Sequence, residues 1–204
     1  MLFMGDREYI VFDFDGTIYS GDCSIDFFLF MLKRKKAVLT HLPVQLTCFV
    51  LWKLHVISTD AFKQAYFRFL SNITPAELDA YIDDFWQQKT NADLNTTICE
   101  RVKLKTEEGY TCVVITASPQ LIVQPLVKKL FGIGTIGTLL EYRNGRYLLA
   151  TPNCKGLQKV VRFEAAFGPT AVLKEAYSDN ASDAPLFKKA LKAFKVKNAV
   201  ISES

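Results

Sequence analysis

Two aspartates separated by one residue stand in the segment Asp13-Phe14-Asp15-Gly16-Thr17, at the end of an apolar run. Side chains alternate along a strand, so the pattern predicts that Asp13 and Asp15 leave the strand end close together. Neighbouring carboxylates repel, and they either bind a divalent cation or raise one pKa. A protonated Asp beside an ionised Asp suits acid-assisted transfer to a carboxylate nucleophile. A solvated pair that caps the next helix is the alternative.

A second acidic segment, Ser178-Asp179-Asn180-Ala181-Ser182-Asp183, also follows a predicted strand. Mg²⁺ takes oxygen ligands and keeps several waters, so Asp13, Asp179 and the backbone carbonyl of Asp15 could suffice to hold it. Asp183 would then lie next to the metal ligands or support them. The alternative is an Asx turn followed by a helix cap.

Candidate anion-binding groups lie in two further segments. Thr116 follows a hydrophobic stretch, so its hydroxyl and the backbone N–H groups of Ala117 and Ser118 would face the same crevice. Such donors suit phosphate or another oxyanion, although an ordinary helix cap has the same residues.

Lys155 and Lys159 flank the start of a predicted helix and share one face. An ammonium there could neutralise charge between phosphate and nucleophile, whereas most lysines are only solvated.

The elements that must position these residues alternate between strand and helix. The predicted strands cover residues 9–14, 111–115, 171–176 and 199–201. Two predicted helices end near residues 109 and 130, and two more cover 156–167 and 184–194. A hairpin is predicted over 139–149, with its turn at Asn144-Gly145. This alternation favours an α/β fold with a doubly wound, Rossmann-like parallel sheet. In such sheets ligands bind outside the carboxyl ends of the strands, where the candidate residues fall.

One interval is too long for a simple crossover. The first two predicted strands lead to Thr17 and Thr116, and the interval between these residues is far longer than a βαβ unit, which takes about 30 residues or a little more. Residues 27–86 read as helical and hold 12 of the 26 aromatic residues and both tryptophans. We therefore expect a helical cap at residues 20–89, inserted into a catalytic core formed by 1–19 and 90–204.

Composition excludes several classes of protein. The net charge of +4 over 204 residues does not indicate nucleic-acid binding. Five cysteines without a Cys-x-x-Cys pair indicate reduced thiols and a cytoplasmic setting. Residues 1–8 do not have the form of a signal peptide. The 16 residues 37–52 carry no formal charge, but they are too short and too polar for a membrane span.

Taken in chain order, these motifs resemble those of the haloacid dehalogenase (HAD) phosphotransferase superfamily over residues 9–190. The resemblance implies that Asp13 is the nucleophile that forms an aspartyl-phosphate. Asp15 would protonate the leaving oxygen and then act as the base for water. Thr116 and a lysine would hold the phosphoryl group, and Asp13, Asp15 and Asp179 would surround Mg²⁺. An Asp at position 15 is typical of the phosphatases and mutases of this superfamily.

The helical insertion resembles the C1 cap of the phosphoserine-phosphatase-like branch, subfamily IB. Residues 114–120 and Tyr177-Ser178-Asp179 look closer to its lipid-phosphatase members of the phosphatidylglycerophosphatase C type. Cys154-x-Gly156-x-x-Lys159 fits those members and favours Lys159, whereas a match to phosphoserine phosphatases would choose Lys155. The Ser-Gly-Gly stretch that phosphoserine phosphatases carry after the second motif is absent, which weakens an amino-acid phosphate as the substrate.

The motifs of a phosphatase core are generic, so the cap is expected to decide which substrate enters. Lys33-Arg34-Lys35-Lys36 beside a Phe- and Trp-rich stretch suits an anionic membrane surface. One hypothesis is that residues 27–57 dock on the inner face of a membrane and admit a phosphorylated lipid headgroup such as phosphatidylglycerophosphate. The alternative is a packed cap interior, with a soluble phosphorylated metabolite such as phosphoserine as substrate. A catalytically inactive binding protein is the third interpretation, and the oligomeric state stays open.

Overall fold

The computed structural model describes residues 7–197 and 200–203. Its centre is a six-stranded sheet in the order β3-β2-β1-β6-β7-β8. The strands are β1 (Glu8–Phe12), β2 (Thr111–Pro119), β3 (Gly134–Thr138), β4 (Leu140–Arg143), β5 (Arg146–Leu149), β6 (Val172–Ser178), β7 (Lys192–Lys197) and β8 (Val200–Glu203). All neighbouring pairs in this sheet are parallel except β7 and β8. The expected α/β fold with a mostly parallel sheet is confirmed.

Eight α-helices accompany the sheet in the described part of the chain. They are α1 (Cys23–Arg34), α2 (Leu42–Lys53), α3 (Thr59–Tyr66), α4 (Pro75–Gln87), α5 (Thr96–Glu107), α6 (Gln120–Phe131), α7 (Leu157–Phe167) and α8 (Ala184–Lys189). Helices α1–α4 all lie between β1 and β2 in chain order, in the long interval that the sequence indicated. The start of α4 is a capping box formed by Thr74 and Glu77.

Strand β1 separates two hydrophobic cores, one on each face of the sheet. Ile10 and Phe12 belong to the larger core, which extends into helices α1 and α4. Tyr9 and Val11 belong to the second core, beneath α7 and α8. Successive side chains point to opposite faces of a strand, so a continuously apolar segment is what a strand covered on both faces requires.

The hairpin predicted around Asn144-Gly145 is confirmed. Strands β4 and β5 pair antiparallel, and Arg143 lies opposite Arg146. Asn144 and Gly145 have φ angles of 49° and 76°, as the two central residues of a type I′ turn require. The Gly145 carbonyl accepts a 2.8 Å hydrogen bond from the backbone N–H of Asn72. The hairpin therefore contacts the segment between α3 and α4.

The prediction of one helix over residues 184–194 is wrong. Helix α8 ends at Lys189, and β7 follows at Lys192. The side chain of Phe194 stacks on Tyr177 of β6 at 4.7 Å between ring centroids, and Val196 is buried while its lysine neighbours are exposed. Burial of alternate residues against β6 therefore favours strand over helix here.

Several other boundaries differ from the predictions. Strand β2 continues past residue 115 to Pro119, because the residue before a proline favours extended backbone and Pro119 pairs with Thr138 of β3. The predicted strand at 199–201 appears as β8, although residue 199 lies outside the described residues. Residues 1–6, on which the signal-peptide expectation depends, also lie outside them.

Two further features concern helix length and the cysteines. Within residues 7–197 and 200–203, none of the helices combines the length and apolar character needed to cross a bilayer. The five cysteines, all of which lie in the described part of the chain, are free thiols.

Candidate active site

The carboxyl ends of three adjacent parallel strands bring the predicted site residues together. Asp13 follows β1, Thr116 lies near the end of β2, and Asp179 follows β6. Lys159 comes from the first turn of α7, and Asp183 directly precedes α8. Because β1 lies between β2 and β6, these residues meet at one edge of the sheet, as the sequence predicted.

Asp13 is buried and held by three contacts. One carboxylate oxygen lies 2.8 Å from the Lys159 Nζ and accepts a 2.8 Å hydrogen bond from the backbone N–H of Phe14. The other oxygen accepts a 3.1 Å hydrogen bond from the Ser178 hydroxyl. Burial raises the pKa of Asp13 to about 7, although the Lys159 ammonium acts in the opposite direction.

Lys159 is buried between two carboxylates. Its Nζ donates a 2.6 Å hydrogen bond to Asp183, in addition to its contact with Asp13. Burial alone lowers the pKa of a lysine, but the two carboxylates give Lys159 a raised pKa. Lys155 lines the same cavity and, among the described residues, forms no ion pair. The structure thus distinguishes the two candidate lysines by their surroundings.

The Asp15 carboxylate is turned away from Lys159. One oxygen accepts a 2.7 Å hydrogen bond from the backbone N–H of Cys23, at the start of α1. The other oxygen accepts hydrogen bonds from the Ser118 hydroxyl at 2.6 Å and the Thr116 hydroxyl at 3.3 Å. Burial raises the pKa of Asp15, which favours the protonated form that can donate to a leaving oxygen.

Both aspartates lie in a turn after β1, so the strand predicted over residues 9–14 ends two residues earlier than expected. Strand β1 ends at Phe12, and the Thr17 N–H donates to the Phe14 carbonyl at 3.2 Å. Gly16 has a φ of +73°, and a Cβ there would lie 2.2 Å from a carboxylate oxygen of Asp179. Glycine is therefore required for the turn to pass so close to Asp179.

The predicted anion-binding segment, residues 116–118 near the end of β2, is arranged differently from the expectation. The backbone N–H of Ser118 donates to the Thr116 hydroxyl at 3.0 Å instead of facing the cavity freely. The Ala117 carbonyl accepts hydrogen bonds from Lys63 and Thr138 at 2.6 and 2.7 Å. The hydroxyls of Thr116 and Ser118 both contact Asp15, which makes the Ser118 side chain, as well as its amide, part of the site.

The acidic residues fit a hard cation through their donor chemistry. No three His, Cys, Asp or Glu side chains in the described ranges form a group that could hold a metal by themselves, consistent with the Asp15 side chain facing Ser118. Two carboxylates, Asp13 and Asp179, remain with the Asp15 backbone carbonyl as oxygen donors that Mg²⁺ and water could complete. Burial raises the pKa of both carboxyls, and one oxygen of Asp183 is buried without a hydrogen-bond partner. A cation would offset this excess of buried negative charge.

A cavity of about 410 Å³ connects these groups to the helices between β1 and β2. Asp13, Asp15 and Lys159 lie on its core side. Five aromatic side chains from the segment between β1 and β2 also line it, namely Phe49, Trp52, Phe62, Tyr66 and Phe67. The cavity therefore combines a charged end with an aromatic end, which suits a polar group attached to an apolar one.

Lys63 of α3 is a cavity residue that the sequence did not reveal. Its Nζ donates to the Ala117 carbonyl at 2.6 Å, and burial lowers its pKa to about 8. Its only sequence signal is a position beside Phe62 in an amphipathic segment, which many solvated lysines share. Only the packing of α3 against the end of β2 places this lysine in the cavity.

Helix α3 is attached to the core by side-chain hydrogen bonds along its length. An Asp60 carboxylate oxygen accepts from the backbone N–H of Asn153 at 3.0 Å. The Gln64 side chain donates to the Tyr147 carbonyl at 3.2 Å and accepts from the Leu149 N–H at 2.8 Å. These bonds hold α3 over the cavity.

The comparisons with known proteins agree with this architecture. A model of the haloacid dehalogenase-like hydrolases matches residues 10–188. Protein CicA from Caulobacter vibrioides is 40% identical over 79 residues, which cover 37% of this chain and 36% of that protein. A crystal structure of a protein with unknown function from Bordetella pertussis Tohama I has a TM-score of 0.80 at 21% identity, covering 94% of this chain and 91% of that one. A phosphoserine phosphohydrolase-like protein from Francisella tularensis has a TM-score of 0.62 at 19% identity, covering 95% and 89%.

Proposed function

This chain belongs to the haloacid dehalogenase-like hydrolases, and from that premise we propose that it is a Mg²⁺-dependent phosphatase that hydrolyses phosphomonoesters through an aspartyl-phosphate on Asp13. The observation that carries the proposal is the buried Asp13, which lies 2.8 Å from a buried lysine at the charged end of the cavity. A carboxylate beside a cation, in a cavity with further donors, is the arrangement that attack on phosphorus needs.

The reaction divides into two steps. A carboxylate oxygen of Asp13 attacks phosphorus, the bond from phosphorus to the ester oxygen breaks, and protonated Asp15 gives its proton to the leaving alcohol. Water then attacks the aspartyl-phosphate, Asp15 takes a proton from that water, and inorganic phosphate leaves with Asp13 regenerated. A bound Mg²⁺, held by Asp13, Asp179 and the Asp15 carbonyl, would supply charge neutralisation for the phosphoryl oxygens.

We assign the remaining roles from the same contacts. Lys159 offsets the negative charge that accumulates between Asp13 and the phosphoryl group, and Asp183 holds Lys159 in place. The Thr116 hydroxyl and the segment of Ala117 and Ser118 would contact the phosphoryl group from the β2 side once the substrate replaces their hydrogen bonds to Asp15 and to each other. Lys155 lines the cavity as a second cation near the substrate.

Residues 20–89 are proposed to act as a cap over a core formed by 1–19 and 90–204. The hydrogen bonds that Asn153 and Leu149 donate to side chains of α3 support this division, because they attach a helix of the cap to the core beside the cavity. A closed cap excludes water during the first step and so limits premature hydrolysis.

The substrate proposed here is a phosphorylated lipid headgroup, of which phosphatidylglycerophosphate is an example. The aromatic wall of the cavity supports it, since a leaving group with an apolar part would pack there. A small soluble metabolite, such as phosphoserine, is the second candidate. Polar groups of Asp22, Ser24 and Lys63 in the same cavity favour that candidate, because they could contact a charged leaving group.

A phosphate-release screen with Mg²⁺ tests both the reaction and the substrate. The panel contains p-nitrophenyl phosphate, phosphoserine, a lysophospholipid-like phosphomonoester and phosphatidylglycerophosphate, with the Asp13→Asn variant as the matched control. We expect release from p-nitrophenyl phosphate and the highest kcat/KM for a lipid-like ester. Preference for phosphoserine would select the second candidate, and absence of release from every ester would refute the phosphatase proposal.

A further inference from the structure

Helix α2 is built the opposite way from an ordinary surface helix. Gln45 is its one buried residue, and its side-chain Nε2 donates to the Tyr66 carbonyl at 2.7 Å. Leu46 and Val50, one turn apart, are 62% and 53% exposed. A surface helix normally buries its apolar stripe and exposes its polar face. The exposed apolar side chains of α2 are therefore available for contact with another molecule or with a membrane surface.

The exposed apolar residues continue from α2 onto α1. Ile25 and Leu29 of α1 are 51% and 47% exposed, and Lys33 follows at the same four-residue spacing. Nine of the 17 large apolar residues that are exposed in the described chain fall within residues 25–56. Such a concentration of apolar surface indicates an interaction site rather than scattered solvent-exposed side chains.

The two helices border the same opening. Ile25 of α1 and Phe49 of α2 both line the cavity that contains Asp13. The apolar surface is therefore continuous with the aromatic wall of the active site. We call this surface, formed by the exposed apolar residues of 25–56, the cap face.

The charge of the cap face identifies its partner. Residues 25–56, which contain the cap face, have five Lys or Arg and one acidic residue, Asp26, a net charge of +4 with His neutral, so this segment alone carries as much net charge as the whole chain. Arg34 is paired with Asp84 at 2.7 Å, and Lys35 donates to a backbone carbonyl. Lys33 and Lys53 are exposed at the C-terminal ends of α1 and α2. Apolar side chains bordered by lysines match a bilayer that carries anionic headgroups.

We propose that the cap face docks on the surface of an anionic lipid bilayer and that the active-site cavity opens toward that surface. A second copy of the chain fits the cap face less well, because it would bring two segments of net charge +4 together. The proposal deepens the proposed function, since a docked enzyme could reach a phosphorylated headgroup while the acyl chains stay in the membrane. Docking itself needs no catalysis and is tested without substrate.

The test is co-sedimentation of the full chain with phosphatidylcholine vesicles that contain or lack phosphatidylglycerol. We expect the protein to bind the anionic vesicles and to bind neutral vesicles much less. The double variant Leu46→Ser, Val50→Ser should bind anionic vesicles at least about tenfold more weakly, because two apolar side chains no longer enter the interface. Replacement of Lys33 and Lys53 by Gln should weaken binding to anionic vesicles by about fivefold per lysine.

The matched control is Leu157→Ser, Val161→Ser on α7. These residues have the same four-residue spacing and are 63% and 46% exposed, but they lie outside the cap face. The control variant should bind vesicles like the unmodified protein. Equal losses for the two double variants, or equal binding to neutral and anionic vesicles, would overturn the proposal.

Two further readouts separate the remaining outcomes. Hydrolysis of p-nitrophenyl phosphate by the Leu46→Ser, Val50→Ser variant should match the unmodified protein and shows that the fold is intact. If the unmodified protein is active but does not bind vesicles, docking is refuted and the phosphatase proposal stands. If it binds vesicles but is inactive, the phosphatase proposal is refuted and docking stands. Dimers in sedimentation velocity that the Leu46→Ser, Val50→Ser variant abolishes, with no vesicle binding, would assign the cap face to a second copy.

Discussion

Replacing Lys159 by Met should destabilise the protein strongly, because it leaves buried carboxylates without their cation. The Lys159 side chain is 2% exposed and contacts Asp13 at 2.8 Å and Asp183 at 2.6 Å. Removing one member of a buried ion pair costs about 3–5 kcal/mol, since the remaining charge stays buried without a partner. Here two carboxylates lose the same ammonium, and one Asp183 oxygen already has no hydrogen-bond partner. We therefore expect a loss of about 4–5 kcal/mol in the free energy of unfolding.

The assay is equilibrium unfolding in urea with EDTA present, so that no metal compensates for the missing ammonium. Lys155→Met is the matched control, because Lys155 lines the same cavity outside the buried pair, and its effect should stay within about 0.5 kcal/mol. The double variant Lys159→Met, Asp183→Asn should recover part of the lost stability, since it also removes one of the two unpaired charges. The turnover number with p-nitrophenyl phosphate should fall by about 10²–10³-fold for Lys159→Met and much less for Lys155→Met.

Equal and small changes in stability for both lysine variants would show that Lys159 is not the cation of a buried pair. A greater loss of turnover for Lys155→Met than for Lys159→Met would transfer the catalytic role to Lys155. A double variant that is less stable than Lys159→Met alone would show that Asp183 does not contribute an unpaired charge. Any of these results would refute the reasoning about this site.

Four further changes test individual roles. Asp13→Asn should lower turnover by about 10⁴-fold or more with an unchanged urea midpoint or a higher one, and near-normal activity would refute Asp13 as nucleophile. Asp15→Asn should lose about 10²–10⁴-fold with alkyl phosphates but less with p-nitrophenyl phosphate, and equal losses would remove its acid role. Asp179→Asn should shift the Mg²⁺ titration of activity to higher concentrations, and an unchanged titration would exclude it as a ligand. Burial lowers the pKa of Lys63 to about 8, so this side chain loses its positive charge as the pH rises through that value. KM for an anionic substrate should therefore rise by about tenfold as the pH increases through 8. The Lys63→Met variant should show a high KM on both sides of pH 8.

The sequence predicted the core of the site because its chemistry falls on strand ends. Asp13 and Thr116 each follow or end a short apolar run, Asp179 follows a predicted strand, and parallel strands place such positions at one edge of a sheet. The Asn144-Gly145 turn was equally readable, since few residue pairs adopt its backbone angles. These features depend on local chemistry, which a single sequence contains.

The features that the sequence did not reveal depend on tertiary contacts. The direction of the Asp15 carboxylate is set by donors from Cys23 and Ser118, which are far from each other in the chain. Lys63 enters the cavity only because α3 packs on the end of β2. Residues 192–197 have both basic helix-like composition and strand-like alternation, and pairing with β6 decides between them.

The exposure of α2 is another feature that depends on tertiary contacts. Its sequence is mostly apolar, which is compatible with a packed cap interior or with an exposed surface. The neighbouring helices fill the interior with other side chains, among them Phe27, Phe69 and Phe85, so the apolar face of α2 stays outside. Periodicity alone cannot show which of two apolar segments occupies a core.

The proposed mechanism requires that phosphorus becomes bonded to Asp13 during turnover. Its most direct test is an acid quench of the enzyme within its first turnover of a ³²P-labelled phosphomonoester and Mg²⁺, followed by peptide mapping of the label. We predict a base-labile label in the peptide that contains Asp13, and no label when Asp13 is replaced by Asn. Label on any other residue, or rapid phosphate release by an enzyme that never becomes labelled, would contradict the mechanism.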